Sequence, residues 1–241
     1  MLSLITIMRK NPRKAGLIPG EVVLTFDDGP NLKDNVTPRL LDVLDQHSVK
    51  AGFCVVGEQV HQHPDVVSRM YDSGHLLINH TQRHEHPFRQ SYETLLNEIL
   101  ECDQEIAAAL GIPDYRSEFF RAPFGIVTFA VRRVTRNLKM TPVLLSHYGW
   151  DTRVGPHNCQ PIVDLLIQNA KRHQGGMFVF HDGSLVPPKV LEDDWRKSVE
   201  NRSWVPDAVD EVITELKKHG LHFVLPGQSA VQSVDVMKAA A

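Results

Sequence analysis

The stretch "VVLTFDDGPN", Val22 to Asn31, decides how this chain is read. An apolar run leads into two adjacent carboxylates, Asp27 and Asp28, and Gly29 and Pro30 then halt both helix and sheet. Asp-Gly behind alternating hydrophobics is an ordinary hairpin signal and predicts a second strand a few residues later. The chain continues instead as "NLKDNVTPRLLDVLDQH". There Thr37 is placed to cap a helix, Pro38 suits its first position, and Leu40, Leu41, Val43 and Leu44 share one face. Val22 to Phe26 is therefore read as a strand that runs through a loop into a helix, with the acidic pair at its carboxyl end.

The same alternation continues through the 241 residues. Apolar β-type runs recur at 52–56, 76–78, 119–121, 142–146, 177–180 and 222–225, which with the first makes seven. Amphipathic stretches lie between them at 38–47, 64–73, 92–110, 128–138, 161–173 and 207–218. In the longest, Ser91 is placed to cap and Gly111 to terminate. Strict βαβα order without a Pro/Gly/Ser-rich linker predicts an α/β fold with a parallel sheet, and seven such units suit closure into a single barrel. The expected organisation is an N-terminal extension over residues 1–20 and one catalytic domain over 21–241.

Composition sets bounds but names no partner. With 42% hydrophobic and 23% charged residues the chain can bury a sizeable core. A net charge of -3 gives no basic footprint for nucleic acid or an anionic membrane. The three cysteines, Cys54, Cys102 and Cys159, form neither a disulfide framework nor a Cys-x-x-Cys clip, and the first two are expected as small buried hydrophobes. At the N-terminus a short apolar piece precedes a basic cluster, the reverse of a signal peptide, and it is too short to span a bilayer.

Reactive side chains collect where the apolar runs end. Asp27 and Asp28 follow the first, His80 and His84 the third, Arg121 and "APFG" the fourth, Trp150 and Asp151 the fifth, and His181 with Asp182 the sixth. In a barrel of parallel strands these ends form one rim, so the residues are expected to converge. "NHTQRH" places two imidazoles at i and i+4, a spacing at which neighbouring helical side chains meet and can share a metal, with His86 a competitor of His84. Added to Asp28 they make an Asp/His/His set that leaves coordination positions open, as a catalytic site requires.

"TFDDGP", "HTQRH", "RAPFG", a weaker "WDTR" and "FVFHDG", in that order between about Glu21 and Pro226, resemble the five motifs of the polysaccharide deacetylase family, the NodB-like carbohydrate esterases. The resemblance implies a distorted (β/α)7 barrel and metal-dependent removal of acetyl groups from N-acetylated sugars or acetylated xylan. It implies Asp28, His80 and His84 as ligands of a divalent metal, zinc first, with cobalt, nickel or manganese as alternatives. It further implies Asp27 as general base, held by Arg121, His181 as general acid, and the backbone N–H of Phe124 as a donor to the developing oxyanion.

The fourth motif departs from the family's Asp-x-x-Asp-Trp, because Val154 and Gly155 stand where the second acid and the tryptophan belong. Asp151 is then the expected partner of His181, and Trp150, Trp195 or Trp204 the expected wall for a sugar ring. The reading is an N-deacetylase whose partner is an N-acetylated glycan, peptidoglycan ahead of chitin oligosaccharides. Its alternatives are an acetylxylan esterase and a catalytically weakened carbohydrate-binding homologue. That substrate class suggests the periplasm or cell envelope.

Overall fold

β1 (Glu21–Asp27) is buried along its whole length, because layers cover both of its faces. Alternation along the strand divides its side chains. Val22, Leu24 and Phe26 belong to the core beneath the helices, whereas Val23 packs inward with Cys54, Ile78, Val143 and Met177. Thr25 and Asp27 follow Val23 on the inward face. This computed structural model describes residues 17–183, 185, 197 and 200–228. Residues 1–16, Trp195 and most of the stretch between Gly183 and Glu200 lie outside the described residues, so the N-terminal extension falls almost wholly among them.

The chain continues through α1 (Val36–Gln46), β2 (Gly52–Val55), α2 (Gly57–Gln62), α3 (Pro64–Asp72), β3 (Leu76–Asn79) and α4 (Tyr92–Leu110). It then forms β4 (Phe119–Phe120), α5 (Phe129–Asn137), β5 (Thr141–Pro142), β6 (His147–Tyr148) and α6 (Gln160–His173). β7 (Gly176–His181), α7 (Val205–Lys218) and β8 (His222–Phe223) complete the described residues. All pairings are parallel, in the order β5-β4-β3-β2-β1-β7-β6, with β8 beside the first two residues of β1. Helices α1, α6 and α7 supply Leu40, Leu44, Leu166, Val209 and Ile213 to the main core. Cys54 and Cys102 are fully buried, as small hydrophobes would be.

Residues 142–146 do not form one strand. Pro142 has no N–H for the ladder, and the segment changes partners as it bends. The Val143 amide donates to Phe120 O on β4 at 2.8 Å, and the Ser146 amide donates to Met177 O on β7 at 3.0 Å. β5 and β6 are thus the two ends of one kinked segment that bridges the sheet edges, completing a distorted (β/α)7 barrel.

One further expectation is corrected, and one helix is new. Asn35, in a left-handed conformation, precedes α1 in place of Thr37. The Thr37 hydroxyl is engaged elsewhere, accepting from the Asn31 amide at 2.8 Å and donating to Asp182 Oδ2 at 2.5 Å. α2 has no counterpart in the sequence reading, since six residues are too few to show a helical period. The long helix α4 starts and ends as expected. Ser91 Oγ accepts from the Thr94 amide at 3.1 Å, and Gly111 closes the helix at φ 65°.

Candidate active site

Parallel register places Asp27 opposite His181 on adjacent strands, so both side chains leave the sheet on its inner face. They line a cavity of about 730 Å³ at the carboxyl rim, together with Asp28, His80, His84 and Arg121. Phe124, Tyr148 and Trp150 line it as well.

On one wall, Asp28 adopts φ 75°, which turns its carboxylate away from the strand. Its Oδ1 lies 3.4 Å from His80 Nε2 and 3.3 Å from His84 Nε2, and it is buried with no hydrogen-bond partner among the described residues. One ligand atom from each of the three residues lies within 4.8 Å of the others. The sequence anticipated the trio but not its backbone. Thr81 and His84 have φ 71° and 54°, so the imidazoles meet across a loop and not on a helix. Asn79 builds that loop. Its Oδ1 accepts from the Thr81 amide at 3.0 Å, and its Nδ2 donates to Ile99 O at 2.9 Å and Asp103 Oδ1 at 2.8 Å. Thr81 Oγ1 accepts from the His84 amide at 3.0 Å.

These groups fit a divalent metal. His80 Nδ1 lies 2.8 Å from Arg121 O, and only a protonated Nδ1 can donate there, which leaves the Nε2 lone pair free. Burial holds the His84 imidazole down to about 4, in its neutral form. Burial would raise the Asp28 carboxyl, but the imidazoles of His80, His84 and His181 around it outweigh that and hold it well below the usual carboxylate range. Neutral imidazole and ionised carboxylate are the ligating forms. An orphaned buried oxygen facing two imidazole nitrogens is what such a donor set presents. His86 is not in the trio, because its ring turns to Phe124 and Phe88.

Asp27 stands beside the trio, its Oδ2 4.0 Å from His80 Nε2. Arg121, 2% exposed, donates to Asp27 Oδ2 at 3.3 Å and to Thr25 Oγ1 at 3.0 Å. Thr25 and Asp27 are two residues apart on one strand face, so a single guanidinium spans both. Asp27 Oδ1 is buried and accepts no hydrogen bond among the described residues.

The opposite wall carries His181 and Asp151. Asp151 Oδ2 accepts from the His181 amide at 2.6 Å, and His181 Nδ1 lies 3.0 Å from Asp151 Oδ1. Burial pushes the imidazole down, but the ionised Asp151, with Asp28 and Asp27 beyond it, raises it to about 9. Asp151, also buried, is held below the usual range by His181 and Arg202. Arg202, which no motif signalled, is 3% exposed and donates through Nη1 to Asp151 O at 3.0 Å and through Nε to Gly183 O at 3.3 Å.

The two walls meet at Gly183. Its amide donates to Asp27 O at 3.3 Å, and a Cβ added there would fall 2.0 Å from Asp28 O. Trp150 is half exposed on the cavity rim, with the Arg153 guanidinium 4.3 Å above its ring. Trp204 is 5% exposed within the main core and so supplies no sugar wall. Trp195 lies outside the described residues.

A family model for polysaccharide deacetylases matches residues 15–143, more than half of the chain. The chain belongs to the polysaccharide deacetylase family. A peptidoglycan-N-acetylglucosamine deacetylase of Bacillus cereus is 28% identical over 225 residues, covering 90% of this chain and 95% of that protein. A chitooligosaccharide deacetylase of Sinorhizobium fredii is 32% identical over 185 residues, covering 76% of this chain and 80% of its own. A solved peptidoglycan N-acetylglucosamine deacetylase, in complex with 4-naphthalen-1-yl-N-hydroxybenzamide, matches with a TM-score of 0.69 at 27% identity, over 89% of this chain and 91% of that one. This polysaccharide deacetylase is accordingly a hydrolase of amide bonds, and no helix among its described residues is long and apolar enough to cross a membrane.

Proposed function

We propose that this polysaccharide deacetylase uses a divalent metal, zinc first, to remove acetyl groups from N-acetylglucosamine units, with peptidoglycan as its substrate. The observation that carries the reading is the convergence of Asp28, His80 and His84 in one cavity with a carboxylate on one side and a carboxylate-paired imidazole on the other. Deacetylation of an amide needs an acid and a base held apart, and here the two face the same space from different walls. The relatives named for amide deacetylation favour this over the xylan ester reading.

A metal held by Asp28, His80 and His84 would supply Lewis acidity, easing loss of a proton from water and polarising the acetyl carbonyl. Asp27, oriented by Arg121, takes the proton of the attacking water through Oδ1, which accepts no hydrogen bond among the described residues. The backbone N–H of Phe124 is assigned to the oxygen on which charge develops. His181 gives a proton to the sugar nitrogen, since an amine leaves readily only when protonated. Asp151 keeps that imidazole charged at neutral pH and turns Nε2 towards the cavity. Trp150 supplies a wall for the sugar ring.

The test is acetate release from N-acetylglucosamine oligomers and from whole peptidoglycan by zinc-loaded protein. Loss of release in Asp27→Ala and His181→Ala proteins is expected, and undiminished turnover in both would refute the assigned roles. Release from acetylxylan alone would move the substrate to the ester.

A further inference from the structure

His86 competes for a ligand position in the sequence, yet the structure gives its ring a different neighbourhood. From the trio, rings follow one another outward. His84 lies 4.7 Å from Phe124 between centroids, Phe124 5.0 Å from His86, and His86 5.6 Å from Phe88, stacked with planes 25° apart. Only the first two of these four line the cavity. From Phe124, 55% exposed on the cavity lining, the last two carry the run onto the outer surface, where Phe88 is 61% exposed. Single exposed aromatics are common and need no explanation, but rings in mutual contact that continue a catalytic cleft form a surface of another kind.

The run is fixed in place. Phe88 begins within the 3-10 turn Pro87–Arg89, its amide donates to His86 Nδ1 at 3.4 Å, and Phe124 sits at φ 57° in the turn after Arg121. Rings ordered before binding cost little further entropy when a partner settles on them, and their faces suit the C–H side of a pyranose. We infer that Phe124, His86 and Phe88 form a sugar-binding strip that starts on the cavity lining at Phe124 and leads out of it, and that takes the glycan unit next to the one being deacetylated. The inference rests on the deacetylase reading, and it commits to one occupant because the strip begins at a ring touching His84 and extends that same cleft.

Calorimetry with the N-acetylglucosamine pentamer on zinc-loaded protein tests it. Phe88→Ala and His86→Ala are expected to weaken pentamer binding about tenfold, with Phe88→Trp restoring it, while Phe129→Ala, an exposed ring outside the run, leaves it unchanged. Both substituted rings are at least partly exposed, so folding is expected to survive. Unaltered pentamer affinity in Phe88→Ala and His86→Ala, or no pentamer binding by the unsubstituted protein, overturns the strip. Acetate release is scored separately. Pentamer binding that depends on Phe88, without acetate release, would sink the deacetylase reading and leave the strip standing.

Discussion

The two walls of the cavity are held by different means. The Asp28, His80 and His84 wall is set by main chain in unusual conformations, with positive φ at Asp28, Thr81 and His84, and is braced by Asn79 from beneath. Left-handed backbone at such residues costs of order 1 kcal/mol or more each and persists only where its surroundings enforce it. On the His181 wall one residue, Trp150 at φ 59°, is left-handed, but Asp151 and His181 themselves are not. There one carboxylate grips a single histidine at both its amide and its ring, and Arg202 fixes that carboxylate's own main chain. A metal site has to place several ligand atoms around one point, so the loop geometry is fixed. A proton donor needs one charge beside it, and several sequences can provide that.

This difference can be broken experimentally, and the largest effect is expected on the metal wall. Asp28→Ala should abolish stoichiometric zinc retention, measured by elemental analysis, and lower kcat/KM on the order of a thousandfold. On the other wall His181→Ala should cost about 10²- to 10⁴-fold in kcat while bound zinc stays at the unsubstituted level. Equal zinc loss in both proteins would show that the walls do not act separately.

Asp151→Asn sharpens the contrast through pH. The folded imidazole stands at about 9 because an ionised partner outweighs burial. Once that partner is neutral, burial prevails, the imidazolium gives up its proton at lower pH, and the alkaline limb of kcat should move down in pH. At pH 8 the loss is expected to be about tenfold or more, shrinking as the pH is lowered, and an unmoved limb would separate Asp151 from the acid. The smallest effect belongs to Arg202→Met. Leaving the Asp151 and Gly183 carbonyls without their donor should lower stability by about 1–3 kcal/mol in chemical denaturation and reduce kcat only a few fold.

The same contrast explains what could be read from the residues alone. Asp27, Asp28, His80, His84, Arg121 and His181 sit at strand ends or within compact motifs, and parallel register brings them together without any long-range guess. Asp151 was legible as the one acid left in the altered fourth motif. Arg202 was not, since it arrives from beyond a long segment and acts through carbonyl oxygens that leave no trace in sequence. Asn79 stood inside a motif, but only folding shows that its amide faces inward towards Asp103. The strand at 142–146 misled because periodicity registers apolar content and not the exchange of hydrogen-bond partners from β4 to β7. Trp204 was offered as a sugar wall, but hydrophobicity alone does not say which side of a helix layer a tryptophan occupies.

Gly183 has a consequence for how such an enzyme can change. Its bare α-carbon lets the end of β7 pass against the backbone of Asp28, so the strand that delivers the proposed acid and the strand that delivers a proposed ligand share one contact with no spare volume. Even a methyl group there would wedge the strand ends apart and displace both halves of the chemistry at once. Sequence drift that spares this position can rebuild the surroundings of His181, as the altered fourth motif does, without moving Asp28, His80 and His84.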